Sequence, residues 1–239
     1  MYKRILLKLS GESLRDDKHL LTIDVNHLEN LTRVVKSLHD DGVEIAIVIG
    51  AGNIWRGKLA DKIGIEPVPA DFMGMLGTVI NAVAMSSSLK KHGVDAIVYS
   101  AVPPIEGVTM AYDKDLVNRS LAEGKVVFLA GGTGKPFFTT DTAAALRAVE
   151  LNCQAILMGK NGVKGIYTDD PDKNPDAEFI KSITFDEIIE RKLQVMDLSA
   201  VELLKKTNID VRVFSMADSQ NFLRVVNGED IGTTVKKGE

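Results

Sequence analysis

A glycine-rich segment that ends in hydroxyl and acidic side chains is the part of this sequence best suited to chemistry. It runs from Gly131 to Asp141 with the sequence GGTGKPFFTTD. Five apolar residues precede it and predict a buried strand, and the alanine-rich residues after it predict a helix. Glycines between a strand and a helix leave backbone N–H groups able to approach phosphate oxygens. Together with the side chains of Thr139, Thr140 and Asp141, these groups predict an anion-binding site.

Two familiar phosphate-binding motifs do not fit these glycines. A Walker A loop would require glycine in place of Leu129 and serine or threonine in place of Pro136. A second glycine loop, residues 50–57, would require glycine in place of Trp55 to match the dinucleotide-binding fingerprint. The sequence therefore favours neither a P-loop enzyme nor a Rossmann dehydrogenase, and phosphate chemistry here would need another architecture.

Glycine loops follow four predicted strands, at residues 8–11, 50–53, 131–134 and 158–160. Open α/β sheets bind their ligands at the carboxyl ends of the strands. If the strands are parallel, all four loops lie along one edge of the sheet, and we expect them to form a single site. Because two of the loops carry a cation, that site favours an anionic ligand.

The charged residues of this edge suit phosphoryl transfer, in which catalysis depends on positioning and electrostatic stabilisation. Lys8 ends an otherwise apolar strand, Arg56 lies in the second loop, and Lys160 follows the fifth predicted strand. Each is a candidate phosphate ligand, and each could instead be a solvated surface side chain. Asp141 could orient these cations or a magnesium ion, or cap its helix. Asp71 could accept a hydrogen bond from a ligand hydroxyl, or cap the helix that follows it.

A later polar segment offers further ligand contacts. Asp170 could bind a ribose or form a turn before Pro171, and Tyr167 could face a nucleobase or pack against its neighbours. The sequence has no Cys/His cluster typical of zinc sites and no serine-elbow motif. The lack of an obvious general base suits an acceptor that is already ionised, such as a phosphate or a carboxylate.

The composition is that of a soluble globular protein. The chain has 239 residues, a formal net charge of −4 and a single cysteine, Cys153, which fits a reducing cytoplasm. No basic stripe indicates nucleic-acid binding, and we expect no membrane segment, because no apolar run approaches the roughly 20 residues of a bilayer span. We expect a cytoplasmic protein.

The order of apolar runs and helical periodicities predicts an α/β protein with a parallel sheet covered by helices. Asp24 is the predicted cap of the first helix, and a longer helix is predicted from about Phe72 to His92. Residues 163–171 predict a hairpin or an ordered loop. No linker or repeat interrupts the chain, so one compact domain with two lobes is expected.

Taken in order, these loops resemble the amino-acid kinase superfamily, and within it the bacterial uridylate kinase (UMP kinase) family. The likeness covers essentially the whole chain. It is carried by residues 8–12, 52–53, 56–57, 70–75, 133–141 and 195–198. The segments ADFMGM and PFFTT are specific to the uridylate branch. Two positions depart from the family pattern: Ala51 replaces a frequent glycine, and Lys164 replaces a frequent aspartate.

The resemblance implies a three-layer α/β/α sandwich around a mainly parallel central sheet, the amino-acid kinase fold. It implies a single domain over residues 1–239, in which residues 1–158 form largely the UMP lobe and residues 159–239 largely the ATP lobe. The implied activity is transfer of the γ-phosphoryl group of ATP to UMP, which gives UDP in pyrimidine biosynthesis. Magnesium would be carried with ATP, without a separate protein metal site.

The resemblance also assigns residues. The implied catalytic residues are Lys8, Arg56, Asp141 and Lys160. The implied ATP-binding residues are Lys8, Leu9, Ser10, Gly11, Gly52, Arg56, Asn161, Tyr167 and Asp170. The implied UMP-binding residues are Ala51, Asp71, Thr133, Gly134, Lys135, Pro136, Phe137, Phe138, Thr139 and Thr140. Asp197 is a further candidate for organising charge, with its role left open.

The same resemblance implies an allosteric homohexamer, activated by GTP and inhibited by UTP. From the composition we expect no nucleic-acid or membrane partner. Two alternatives stay open at this point. One is a kinase of the same fold that acts on a small carboxylate or carbamate. The other is a non-catalytic storage protein that binds a nucleotide or an oxyanion.

Overall fold

The computed structural model describes residues 1–16, 20–160, 162–218 and 220–238. Its strands are β1 (Arg4–Leu9), β2 (Glu44–Ile49), β3 (Ala96–Ser100), β4 (Met110–Ala111), β5 (Val126–Ala130), β6 (Ala155–Lys160), β7 (Ile166–Tyr167), β8 (Phe179–Ile180), β9 (Ser182–Thr184), β10 (Asp210–Ser215) and β11 (Thr233–Lys236). Its α-helices are α1 (Val25–Asp40), α2 (Ala60–Ile63), α3 (Pro67–Lys91), α4 (Lys114–Ala122), α5 (Thr140–Glu150), α6 (Phe185–Glu190), α7 (Leu198–Leu204) and α8 (Gln220–Val226). Single 3₁₀ turns lie at Gly11–Leu14 and Gly57–Leu59.

The main sheet of the described chain has the strand order β4-β3-β5-β2-β1-β6-β10-β11-β9. Neighbouring strands are parallel except β10 and β11, which are antiparallel. β5, β2, β1 and β6 are adjacent, so the first three glycine loops and the carboxyl end of β6 lie side by side at one edge. Residues 158–160, predicted to be a loop, are the last residues of β6. This confirms the predicted mainly parallel sheet and the predicted convergence of the loops.

Helices cover both faces of the sheet and complete three layers. Alternate residues of β1 point to opposite faces: Ile5, Leu7 and Leu9 pack with α1, α3 and α8, whereas Leu6 packs with α4, α5, α6 and α7. All four side chains are buried, as expected for a strand covered on both faces. A small hairpin of β7 and β8 stands outside the main sheet; β7 lies in the segment predicted to be a hairpin or loop, and β8 lies beyond it.

Helix α3 begins five residues earlier than the sequence predicted. Pro67 occupies its first turn, where proline is well tolerated because the missing N–H would have no helical partner. Asp71 therefore lies inside the helix, and the expectation that it caps this helix is wrong. By length and composition α3 is the one described helix that could cross a membrane, but more than half of its most apolar part is buried inside the protein.

Two predicted caps have different outcomes. Asp24 caps α1 as predicted, since its carboxylate accepts hydrogen bonds from the backbone N–H groups of Asn26 and His27. At α5 the cap is Thr139, whose hydroxyl accepts from the N–H groups of Asp141 and Thr142. The expectation that Asp141 caps its helix is therefore wrong, and its carboxylate is available for another contact.

Candidate active site

A charged cluster occupies the centre of the glycine-loop edge. The Lys8 ammonium at the end of β1 lies 2.5 Å from the Asp141 carboxylate in the first turn of α5. These side chains are only 17% and 20% exposed, so the ion pair is strongly shielded from water. Lys160 ends the neighbouring strand β6. Burial, and secondarily the charge of Lys8, lower the pKa of Lys160, while Asp141 partly opposes that shift. The structure thus brings together three of the four predicted catalytic residues.

Arg56, the fourth, is held in a separate ion pair. Its guanidinium lies 2.7 Å from the Glu12 carboxylate, and its Nε donates to the Gly52 carbonyl oxygen at 3.3 Å. About half of the Arg56 side chain is exposed, which leaves it able to reach a ligand. Glu12 lies in the motif of residues 8–12, but the resemblance assigns it no role. Its role in this structure is to hold Arg56 over the second glycine loop.

The first two glycine loops touch so closely that side chains would not fit between them. A Cβ on Gly11 would lie 2.4 Å from the Gly50 carbonyl oxygen, and one on Gly52 would lie 3.1 Å from Glu12 Cγ. Ser10 starts the 3₁₀ turn, where its hydroxyl accepts from the Glu12 N–H. Leu9 is 2% exposed and part of the core, so a ligand at this edge could contact only its backbone.

Polar side chains of α3 form hydrogen bonds that hold the glycine loops in place. Asn81 donates to the Gly50 carbonyl oxygen at 2.8 Å and exchanges hydrogen bonds with Asn53. Thr78 accepts from the Gly131 N–H at 2.8 Å. Sequence analysis missed Thr78 and Asn81 as functional residues. The available signal was two polar residues in the middle of a helix that is otherwise mainly apolar.

Helix α3 also approaches the second loop at a glycine. A Cβ on Gly77 would lie 2.8 Å from the Ala51 Cβ, closer than carbon atoms can pack. The methyl group by which Ala51 departs from the family pattern therefore packs against α3, and Gly77 provides the space for it. Ala51 is 8% exposed.

We expect Gly77→Ala to destabilise the protein by about 1–3 kcal/mol, because the new methyl group overpacks the contact with Ala51. Gly74→Ala is the matched control in the same helix, since its Cβ would meet only Trp55 Cδ1 at an ordinary 3.7 Å. That control should be neutral or stabilising, because alanine favours helices over glycine by roughly 1 kcal/mol. Denaturant unfolding measures both variants, and adding Ala51→Gly should restore the stability of Gly77→Ala. Equal stability of the two single variants would contradict the overpacking.

A cavity of about 260 Å³ opens beside the charged cluster, between α3 and the third glycine loop. Its lining includes five of the predicted UMP-binding residues: Ala51, Asp71, Phe138, Thr139 and Thr140. Residues without a sequence prediction also line it, namely Trp55, Gly57, Ala70, Gly74, Met75, Thr78 and Gly132. Gly52, predicted for ATP, lies in this wall as well. The combination of apolar walls, hydroxyls and one carboxylate suits a partly apolar ligand with polar groups.

The other five predicted UMP-binding residues, 133–137, form a turn at the rim of this cavity. Lys135 and Phe137 are exposed, and the Phe137 side chain is 72% accessible to solvent. Phe137 adopts a left-handed backbone with φ of 68°, and its N–H donates to the Asp71 carboxylate at 2.7 Å. Asp71 therefore ties the rim of the third loop to α3.

A larger cavity of about 660 Å³ lies around the β7 hairpin. Tyr167 and Asp170, which the resemblance assigns to ATP, line it together with Lys160, which the resemblance assigns to catalysis. Tyr167 packs edge-on against Phe179, with ring centres 5.6 Å apart. The Asp170 carboxylate is paired with Lys173 at 2.6 Å, and this contact lowers its pKa. Asn161, also predicted here, lies outside the described residues.

Known proteins and a family model match this chain over most or all of its length. Residues 3–215 match the model of the amino acid kinase family. A uridylate kinase of Streptococcus thermophilus is 45% identical over 234 residues, covering 98% of this chain and 95% of that protein. A uridylate kinase of Mycoplasmopsis pulmonis is 44% identical over 229 residues, covering 96% and 94%. The crystal structure of UMP kinase from Bacillus anthracis superposes with a TM-score of 0.95 at 35% identity, covering 100% of this chain and 97% of that one.

Proposed function

This chain belongs to the amino acid kinase family, and we propose that within it the protein is an ATP-dependent uridylate kinase. The reaction is ATP plus UMP giving ADP and UDP, a step of pyrimidine nucleotide biosynthesis. The observation that carries the proposal is the Lys8–Asp141 pair beside a cavity whose wall contains Asp71, Phe138 and Thr139. The near-full-length similarity to uridylate kinases supports the acceptor.

In the proposed mechanism an oxygen of the UMP phosphate attacks the γ-phosphorus of ATP. A new P–O bond forms as the bond to the bridging oxygen breaks, and its electron pair leaves with ADP. The attacking phosphate is already ionised, so no general base is required. Lys8 and Arg56 stabilise the negative charge that accumulates between the two anions, and Lys160 offsets charge on the ATP side.

We assign the 260 Å³ cavity to UMP and the 660 Å³ cavity to ATP. This follows the expected division into residues 1–158 and residues 159–239, with Asp71 near the ribose of UMP, and Tyr167 and Asp170 on the ATP side. Magnesium would arrive on the ATP phosphates, where it neutralises charge. Asp141 is the carboxylate of the central cluster; it keeps Lys8 in place and would offer that ion a negative charge.

The direct test is product analysis with purified protein, Mg·ATP and UMP. Equal amounts of ADP and UDP are expected. Release of ADP without UDP would mean hydrolysis of ATP and would refute the transfer reaction.

The lowered pKa of Lys160 makes a prediction about pH. A lysine whose pKa lies below the ordinary 10.5 loses its charge at a lower pH, so kcat/KM for ATP should fall on the alkaline side before 10.5 is reached. In Lys160→Arg the cation persists, and the alkaline fall should move to higher pH. Lys125→Arg, which changes a partly exposed lysine before the start of β5, is the control. An unchanged alkaline limb in Lys160→Arg would remove Lys160 from this role.

The proposal extends to assembly, regulation and location. An apolar stripe on α3 is exposed at every fourth residue, at Val68, Phe72, Leu76 and Ile80, which are 41%, 40%, 54% and 52% accessible. A stripe of this kind supports self-association, in line with the homohexamer that the family resemblance implies. We retain GTP as activator and UTP as inhibitor from the same resemblance. From the composition we retain a cytoplasmic location, with no nucleic-acid or membrane partner.

A further inference from the structure

Asp197 joins two helices that belong to different halves of the molecule. It is the N-cap of α7, where its Oδ1 accepts from the Ala200 N–H at 3.0 Å. The same carboxylate accepts hydrogen bonds from α5: from the Thr139 hydroxyl, from the Thr142 hydroxyl at 2.8 Å and from the Thr142 N–H at 3.2 Å. One side chain therefore connects the amino-terminal ends of α5 and α7.

The first turn of α5 is also where the candidate active site is anchored. Thr139 and Thr140 line the acceptor cavity, and Asp141 carries the ion pair with Lys8. Thr142 is 5% exposed and is not among the residues assigned to substrates. Any shift of this turn would move the cavity wall and the Lys8–Asp141 pair together.

Apolar packing alone does not fix the position of this turn. Further along, α5 and α7 meet through small and branched side chains of one buried cluster, among them Ala144, Ala148, Val201 and Leu204. Contacts of this kind are non-directional, and small side chains allow one helix to slide or rotate against the other. Hydrogen bonds to a carboxylate are directional, and those at Asp197 lie at the end of α5 that faces the site.

We infer that Asp197 is a positioning residue for phosphoryl transfer, which holds the first turn of α5 at the distance and rotation that place Asp141, Lys8 and Thr139. This inference rests on the proposed uridylate kinase activity. Asp197 is not itself among the residues that line either cavity, and its described contacts do not include the Lys8 ammonium, so its effect passes through Thr139 and Thr142. Its role is thus different from the charge-organising one considered in the sequence.

Asp197→Asn tests the positioning role because asparagine is about as good an N-cap as aspartate. The amide oxygen can still accept from Ala200, but the amide NH₂ cannot accept from the Thr142 N–H. We expect kcat to fall about 10- to 100-fold, since small misplacements of catalytic groups have effects of this size. The melting temperature should stay within a few degrees of wild type.

Thr142→Val weakens the same link from the α5 side, because it removes the hydroxyl that donates to Asp197. It leaves the α7 cap intact. We expect it to lower kcat in the same direction and to raise KM for UMP more than KM for ATP. The effects of the two changes should not add in the double variant, because both weaken the same link between Asp197 and Thr142, one at the N–H and the other at the hydroxyl. Glu202→Gln is the matched control: it removes a carboxylate from α7 that pairs only with Lys205 among the described contacts, and turnover should stay within about twofold. If Asp197→Asn unfolds the protein, Thr142→Val carries the test alone.

Full turnover in Asp197→Asn or in a well-folded Thr142→Val would overturn the positioning role. A wild-type protein that does not phosphorylate UMP would refute the proposed function instead. In that case hydrogen exchange still decides whether the helices are linked: faster exchange at the Asp141 and Thr142 amides in Asp197→Asn, but not in Glu202→Gln, would support the link. Unchanged exchange would overturn it.

Discussion

Lys8→Met is expected to lower kcat by several orders of magnitude while the protein stays folded. The Lys8 ammonium lies 2.5 Å from Asp141, whose chain neighbour Thr140 lines the smaller cavity. A cation there stabilises charge that develops only in the transition state. One positioned hydrogen-bond donor is worth about 10²–10³ in rate, and a cation that contacts both anions is worth more. Steady-state turnover with saturating Mg·ATP and UMP measures the loss.

Two further variants test whether the loss of turnover is specific to the Lys8 ammonium. Lys125→Met removes a partly exposed lysine that pairs with Glu123 and precedes β5, at the opposite end of that strand from the glycine loop, and it should keep normal turnover. Lys8→Arg retains the charge but not the compact ammonium, so it should recover only a small part of the activity. A melting curve close to that of wild type shows that Lys8→Met is folded. Near-normal turnover in a folded Lys8→Met protein would remove Lys8 from the mechanism.

Asp71→Asn is expected to raise KM for UMP about 10- to 100-fold, with KM for ATP changed less than about twofold. Asp71 lines the smaller cavity, and one carboxylate oxygen accepts from the Phe137 N–H. The asparagine carbonyl oxygen can still accept that bond, so the rim of the loop should stay in place. The charged acceptor proposed for the ribose hydroxyls is lost, and charged hydrogen bonds contribute roughly 1.5–3 kcal/mol.

Initial rates at varied UMP and then at varied ATP separate the two effects. Asp115→Asn, an exposed aspartate on α4, is the control for a change of charge alone and should leave both KM values unchanged. An effect of Asp71→Asn confined to ATP would mean that the two cavities are assigned the wrong way round.

The sheet and its ligand edge were predictable from sequence for a simple physical reason. Strands buried on both faces are nearly continuous apolar runs, and the glycines after them mark where each strand ends. Lys8 could also be predicted as a site residue, because a lysine at the end of an apolar strand is unfavourable unless its charge has a partner. The structure supplies that partner in Asp141.

Other features depend on tertiary contacts that no local pattern encodes. The start of α3 was placed too late because Pro67 and Pro69 resemble a loop, although both lie in the first turn. The support that Thr78 and Asn81 give to the glycine loops becomes visible only when α3 lies beneath the sheet edge.

The connection through Asp197 is of the same kind. Asp197 contacts Thr142 and Thr139, which precede it in the chain by 55 and 58 positions. The motif around Asp197 alone predicts no partner in α5.

The central claim is that UMP is the acceptor, and an ADP-release assay with Mg·ATP tests it most directly. UMP, CMP, dTMP, aspartate, N-acetylglutamate and carbamate are offered in parallel to the same preparation. The uridylate kinase proposal predicts turnover with UMP well above that with every other acceptor. Turnover only with a carboxylate or carbamate would contradict the acceptor assignment, and no turnover with any of them would contradict the kinase activity itself.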